Sequence, residues 1–190
     1  MKPVEFKATA APALINVPSL TYLMTDGKGD PDGEVYRTAV EGLYQASYAV
    51  RAALKPVTTY TVGTLQGRWH GVGLDPDRSS WRWTMMIAQP PEATADVVAA
   101  AFAAVKKPRP GLDLVRREVF AEGECAQILH VGPYADEKPA HDRLMAFIAA
   151  EGRVVSGSHH EIYLSDPRRV APERMRTILR YPVASGATAT

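Results

Sequence analysis

The sequence predicts an α+β fold, with two strand–helix–strand–strand modules at about 20–87 and 124–182 within a single domain spanning 1–190. Three observations predict it. The order strand, polar turn, helix, strand, strand occurs twice along the chain, as similarity of pattern rather than as a close sequence repeat. The helical segments repeat apolar residues at three- and four-residue spacing, while the strand segments alternate. A chain of 190 residues, 46% hydrophobic and 23% charged, has the size and balance of a soluble protein with one ordinary core. Two such modules form one mostly antiparallel sheet with helices on one face, leaving the other face exposed unless it meets a ligand or partner.

In chain order, "LTYLMT" (20–25) is a strand that runs into "DGKGDPDGE", where glycines and a proline demand turns. Asp32 is placed to cap a helix over "EVYRTAVEGLYQASYAVRAAL", whose inward face is Tyr36, Val40, Leu43, Ser47 and Val50. Pro56 closes it. "TYTVGTLQGRW" reads as a strand bent near Gly63 or Gly67. After the loop "HGVGLDPDRSS", the strand "WRWTMMIAQP" places Trp81, Trp83, Met85 and Ile87 on one face. "TADVVAAAFAAVKK" is a second helix with Thr94 as its cap and Lys106 and Lys107 near its end. "LDLVRREVF" and "GECAQILHVGPY" read as two strands. A third helix, about Glu137 to Glu151, presents Leu144, Phe147 and Ile148 on one side and stops before Gly152. "HHEIYL" and "RMRTILRYPV" complete the second module, and "ASGATAT" is a loose tail.

Composition excludes some function classes. The formal net charge of +1 gives no overall field to attract nucleic acid or an anionic membrane. The amino-terminal segment is interrupted by Glu5, Lys7 and three prolines, so it reads as neither a signal peptide nor an anchor. No stretch approaches the roughly 18 apolar residues of a membrane span. The single cysteine, Cys125, forms no intrachain disulfide and fits a cytoplasmic setting.

Several chemical readings fail on pattern. The glycines at 27, 29 and 33 match neither a dinucleotide fingerprint nor a phosphate loop, and Asp26, Asp30 and Asp32 oppose an anion. His159 and His160 fall on opposite faces of one strand and cannot pair on a metal, although His159 and Glu161 can share a face. With no HExxH and no cysteine run, the histidines read as hydrogen-bonding residues of the sheet, and neither a metal nor a cofactor is expected. Cys125 sits in an apolar strand, where a cysteine is a small packing residue. No GxSxG elbow supports a hydrolase triad.

Glu161 carries more information. In an aromatic-lined cleft its carboxylate would be desolvated and serve as a general acid or base, or it would pair with a cationic ligand. The competing reading is a salt-bridged surface glutamate. Trp81, Trp83, Tyr134 and Tyr163 are the aromatic candidates for the open side of the sheet, against the alternative of core packing for the tryptophans.

Taken together, "TDGKGDPDGE", "LYQASYAV", "WRWTMMIAQP", "EGECAQILHVGPYADE" and "HHEIYLSDPRR" resemble the GyrI-like small-molecule-binding superfamily over about Leu20 to Val183. Within it, the chain resembles the stand-alone branch that includes cyclopropanoid cyclopropyl hydrolases. The resemblance implies two fused modules about a pseudo-twofold axis with a ligand cleft between them. It also implies cofactor-free binding of bulky hydrophobic, aromatic or cationic compounds, for sensing, sequestration or detoxification. Glu161 with Trp81, Trp83 and Tyr134 are the matching ligand-binding positions, Tyr163 joins them as a ligand-binding candidate from the strand pattern, and Glu161 and Tyr134 match the residues expected to support hydrolysis. The DNA-binding segment of full regulators is not recognisable in the sequence, so direct nucleic-acid binding is not expected. Inhibition of DNA gyrase, as in some relatives, ranks last because the chain lacks a strongly acidic composition. The oligomeric state is not legible.

Overall fold

The computed structural model describes residues 6–71 and 77–186. The first five residues, the middle of the loop expected at 70–80 and the end of the tail lie outside the described residues. Among the described residues the fold is α+β, with three α-helices and seven strands. The chain divides into two compact units, a central one (19–120) and a terminal one (1–18 with 121–190).

The central unit contains the end of β1 (Ala13–Lys28), α1 (Glu34–Leu54), β2 (Gln66–His70), β3 (Arg82–Gln89), α2 (Ala95–Ala103) and the start of β4 (Arg116–Val131). β3 pairs antiparallel with β1, Leu23 opposite Ile87, and with β2, Trp69 opposite Trp83. The face carrying Leu23, Trp69, Trp83, Met85 and Ile87 packs against Leu43, Ala46 and Val50 of α1 and Val98 and Ala101 of α2. The anticipated inward face of α1 is correct at Leu43, Ser47 and Val50, which are fully buried, with Tyr36 and Val40 half-buried at its margin. Thr94 caps α2 through the Val97 N–H. The anticipated Asp32 cap of α1 is not formed. Gly33 takes that position in extended backbone, and the Asp32 carboxylate accepts instead from Arg78 Nη1 at 3.0 Å.

The terminal unit repeats the order with the end of β4, α3 (Lys138–Ala150), β6 (His159–Tyr163) and β7 (Arg176–Ser185), adding a short β5 (Arg153–Val155) that pairs with the end of β7. β7 pairs antiparallel with β4, Ile128 opposite Leu179, and with β6, Glu161 opposite Leu179. Directly paired residues share a face. Ala126, Ile128, Leu179 and Val183 therefore form one face, covered by Leu144 and Ile148 of α3. Two anticipated strands proved to be one: β4 runs unbroken from Arg116, through a positive φ of 75° at Gly123, a conformation glycine adopts without steric cost. Conversely, 58–65 is not strand, and β1 begins at Ala13 rather than Leu20.

Candidate functional site in the terminal unit

Strand alternation sorts the "HHEIY" segment into two chemistries. His160 and Ile162 lie on the face of Arg180 and Ile178, and His159, Glu161 and Tyr163 lie on the face of Leu179 and Thr177. The second of these is the face that α3 covers. The anticipated placement of Glu161 and Tyr163 on the face opposite the helix is therefore corrected. They are reached beside the amino-terminal end of α3 instead.

The turn before α3 brings the other groups there. Gly132 adopts a φ of 139°, its N–H donates to Met175 O at 3.0 Å, and His130 Nε2–H donates to Pro133 O at 3.0 Å. This fixes the chain as it enters a single 3-10 turn, Tyr134–Asp136, from which Glu137 leads into α3. The Tyr134 ring meets the Tyr163 ring edge-on at 5.7 Å between centroids and is 42% exposed. The Glu161 side chain is only 17% exposed. Tyr134, Glu161 and Tyr163 thus gather in one unit.

Residues that the sequence reading did not assign to a site complete the cluster. Tyr181 OH lies 2.7 Å from His159 Nδ1 and 3.1 Å from His141 Nε2, so a tyrosine hydroxyl bridges two imidazoles. His159 Nε2, buried and without a hydrogen bond, faces Glu161 Oε1 at 3.3 Å. One oxygen of Glu137 is likewise buried without a partner. The available signals were the spacing of Glu137 and His141, one helical turn apart, and the alternation that sets Tyr181 beside Leu179's face.

The electrostatics separate donors from acceptors. Burial, reinforced by the negative charge of Glu161, raises the Glu137 carboxyl to about 8, so it holds its proton at neutral pH. Burial, with the charges of Glu161, Glu137 and Asp166, pushes Tyr134 up to about 12. Tyr181 rises to about 12 by burial and the same two glutamates. Tyr134 is consequently a proton-bearing phenol throughout the neutral range, able to donate to a substrate oxygen. A carboxylate pair in which one member stays protonated is a common arrangement for acid–base work.

The tryptophans sit elsewhere. Trp83 is 1% exposed, in the core of the central unit on the helix-covered face, and its Nε1–H donates to Gly29 O at 3.1 Å. Gly27 stands opposite it, and a Cβ there would overlap the indole ring, which explains the glycine better than a ligand loop does. Tyr36 stacks on Trp69 at 6.4 Å and meets Trp83 edge-on at 5.1 Å. Trp81 is half-buried, edge-on to Trp69, with the Arg78 guanidinium 5.4 Å from its ring centroid. The anticipated open-face position is therefore wrong for Trp83.

The opposite face of the terminal unit carries a buried ion network rather than a site. Glu122 accepts from His160 Nδ1–H at 2.8 Å and Arg180 Nη1 at 3.0 Å, and Arg180 also donates to Gln127 Oε1 at 2.8 Å. Cys125 lies beside it, fully buried, its thiol pushed up to about 12 by burial and the Glu122 charge. An un-ionised thiol in this setting is not a nucleophile.

A family model for the GyrI-like small molecule binding domain matches residues 84–184, more than half of the chain. The chain belongs to the GyrI-like family. An uncharacterized conserved protein from Listeria innocua is 39% identical over 95% of both chains, with a TM-score of 0.90. A hydrolase from the same organism is 38% identical over 95% of both chains, with a TM-score of 0.86. The EcmrR C-terminal domain, 14% identical over 92% of this chain and 97% of its own, has a TM-score of 0.59 and shares the fold. Among curated proteins none matches significantly. The GyrI-like chain is a small-molecule-binding domain, and no helix among its described residues is long and apolar enough to cross a membrane.

Proposed function

We propose that this GyrI-like domain hydrolyses a bulky, electrophilic hydrophobic molecule held beside Glu161 and Tyr134, without a cofactor. The observation that carries the proposal is the separation of roles in the cluster. Tyr134 and Glu137 keep their protons at neutral pH, beside a carboxylate whose negative charge helps to hold them there. The likeness to a Listeria innocua hydrolase over nearly the whole chain supports the reading.

On a cyclopropane conjugated to a dienone the reaction is an addition of water that opens the ring. The oxygen of a water molecule bonds to a ring carbon while Glu161 takes one of its protons. The strained carbon–carbon bond breaks, and its electron pair moves through the dienone to the carbonyl oxygen, which becomes a phenolate. Tyr134 donates a hydrogen bond to that oxygen, where charge grows, and solvent later returns a proton to it. Tyr163 offers an aromatic edge beside Tyr134. Trp83 serves by supporting Tyr36 and Trp69.

The test is turnover of a cyclopropanoid dienone, followed by its ultraviolet spectrum and product mass. Tyr134→Phe is expected to lower kcat about 10²–10³-fold, the usual cost of losing one donor to a developing oxyanion. Unchanged turnover in Tyr134→Phe would reject this mechanism. A second reading is sequestration of hydrophobic cations, favoured by the negative charge of Glu161 beside the Tyr134–Tyr163 ring pair. On that reading Glu161→Gln weakens cationic dyes more than matched neutral ones, and equal loss for both would refute it.

A further inference from the structure

We infer that Glu137 is a second hydrogen-bond donor beside Tyr134, and that the two together receive a conjugated carbonyl oxygen of the ligand. The inference rests on the reading that Tyr134 meets a ligand oxygen, and it narrows the substrate class to conjugated ketones. The turn before α3 sets the two side chains together. Residues three apart in a 3-10 turn project from the same side, and the Glu137 N–H closes this one by donating to Tyr134 O at 3.2 Å. Glu137 also stands immediately ahead of the first residue of α3, where a side chain ordinarily caps the helix. It makes no such bond. Its Oε1 is instead buried without a hydrogen-bond partner. A buried polar atom left unpaired destabilises the fold, and a ligand atom that pairs with it removes the penalty.

The surroundings decide that this carboxyl donates rather than accepts. Burial and the negative charge of Glu161, on β6, keep the proton on Glu137 up to about 8. The adjacent cation, Lys138, is engaged by Asp142 at 2.6 Å. Tyr181 on β7 and Tyr134 in the turn are phenols that keep their protons up to about 12. His141 of α3 has its proton affinity lowered by burial, and Asp166, beyond β6, is ionised against Arg168. His159 stands on the strand of Glu161, its Nε2 3.3 Å from Glu161 Oε1. A carboxylic acid kept neutral in such a setting donates to an oxygen on which charge grows, as the neighbouring phenol does. The proton stays on Glu137 throughout, and both donors tighten as the ketone oxygen becomes a phenolate.

The test uses acetylnaphthalene, a flat conjugated ketone that accepts a hydrogen bond and donates none, and isopropenylnaphthalene, its oxygen-free counterpart. Affinities are read by equilibrium dialysis, and the carbonyl stretch of the bound ketone by infrared spectroscopy. Glu137→Leu is expected to weaken the ketone about tenfold, the effect of losing one hydrogen bond, and to raise its carbonyl frequency without weakening the oxygen-free probe. Glu137→Gln keeps an N–H donor in the same volume and is expected to restore both readouts. Wild-type affinity for the ketone is expected to fall as pH rises through about 8, where Glu137 turns from donor to acceptor, and Glu137→Gln is expected to abolish that fall. A wild type that binds no ketone overturns the inference. So does a Glu137→Leu protein with unchanged ketone affinity and carbonyl frequency, or with equal loss for both probes. Incubation with a cyclopropanoid dienone separates this from the hydrolytic reading. If the wild type leaves that compound intact while the bound ketone still responds to Glu137, hydrolysis fails and the donor pair stands.

Discussion

Arg180 is fully buried, and what makes that tolerable is Glu122, with His160 and Gln127 filling the remaining bonds. Burial alone would raise the Glu122 carboxyl, yet His160 and Arg180 outweigh it and hold it at about 2. Its folded value lies below its unfolded one, so the stabilisation is complete above about pH 4.5 and is lost as pH falls toward 2. Chemical denaturation between pH 6 and pH 2 is expected to show this loss, and Glu122→Gln, which strands the Arg180 charge, is expected to cost about 3–5 kcal/mol at pH 7. Glu137 has the opposite sign. Its folded value of about 8 exceeds its unfolded one, so its favourable contribution is present below about pH 4.5 and is lost as pH rises through 8. Glu137→Gln, uncharged at either pH, is therefore expected to raise Tm relative to the wild type at pH 9 and to do so less at pH 4. Tyr134, Glu161 and Tyr163 were legible as a group because "GPY" and the period-two strand "HHEIY" are strong local signals. Their partners were not legible, since Glu137, His141 and Tyr181 reach them only through the packing of α3 on β7.

At the scale of elements, the readable parts were those whose periodicity is long and uninterrupted. The three helices fell where apolar spacing put them, and the cap at Thr94 formed. The failures have physical causes. Gly123 looked like a break, yet glycine's access to positive φ lets β4 continue through it. β1 begins at Ala13 and runs through Pro18, ahead of the alternating stretch from Leu20. Trp81 and Trp83 are two apart, but β3 begins only at Arg82, so only Trp83 is locked into the pleat. Two glycines carry packing that periodicity does not express. Gly42 of α1 lies directly against the Gly111 backbone, and Gly111 has a φ of 89°. Gly42→Ala forces helix against backbone and is expected to destabilise by about 1–3 kcal/mol. Gly27→Ala meets the Trp83 ring and is expected to redden and broaden tryptophan fluorescence as well as lower Tm. Unchanged melting curves in both would contradict the packing described.

At the scale of the whole molecule, the twice-repeated order of strand, helix, strand, strand was legible before any coordinates, because each module carries its own alternating strands and its own amphipathic helix. The sense in which the sheet faces were used was not. Alternation tells which residues share a face, and only packing tells which face the helix takes. The terminal unit reserves one face for a buried ion network and gathers its acid–base groups beside the start of α3 on the other. On the proposed function, Glu161 makes this small-molecule-binding domain a hydrolase. Single-turnover incubation of the wild type and Glu161→Gln with a cyclopropanoid dienone in oxygen-18 water, read by mass spectrometry, tests it most directly. The expected results are a wild-type product heavier by one labelled water and a rate at least about 10²-fold lower in Glu161→Gln. Intact compound recovered from the wild type, or labelled product formed equally fast by both proteins, would contradict it.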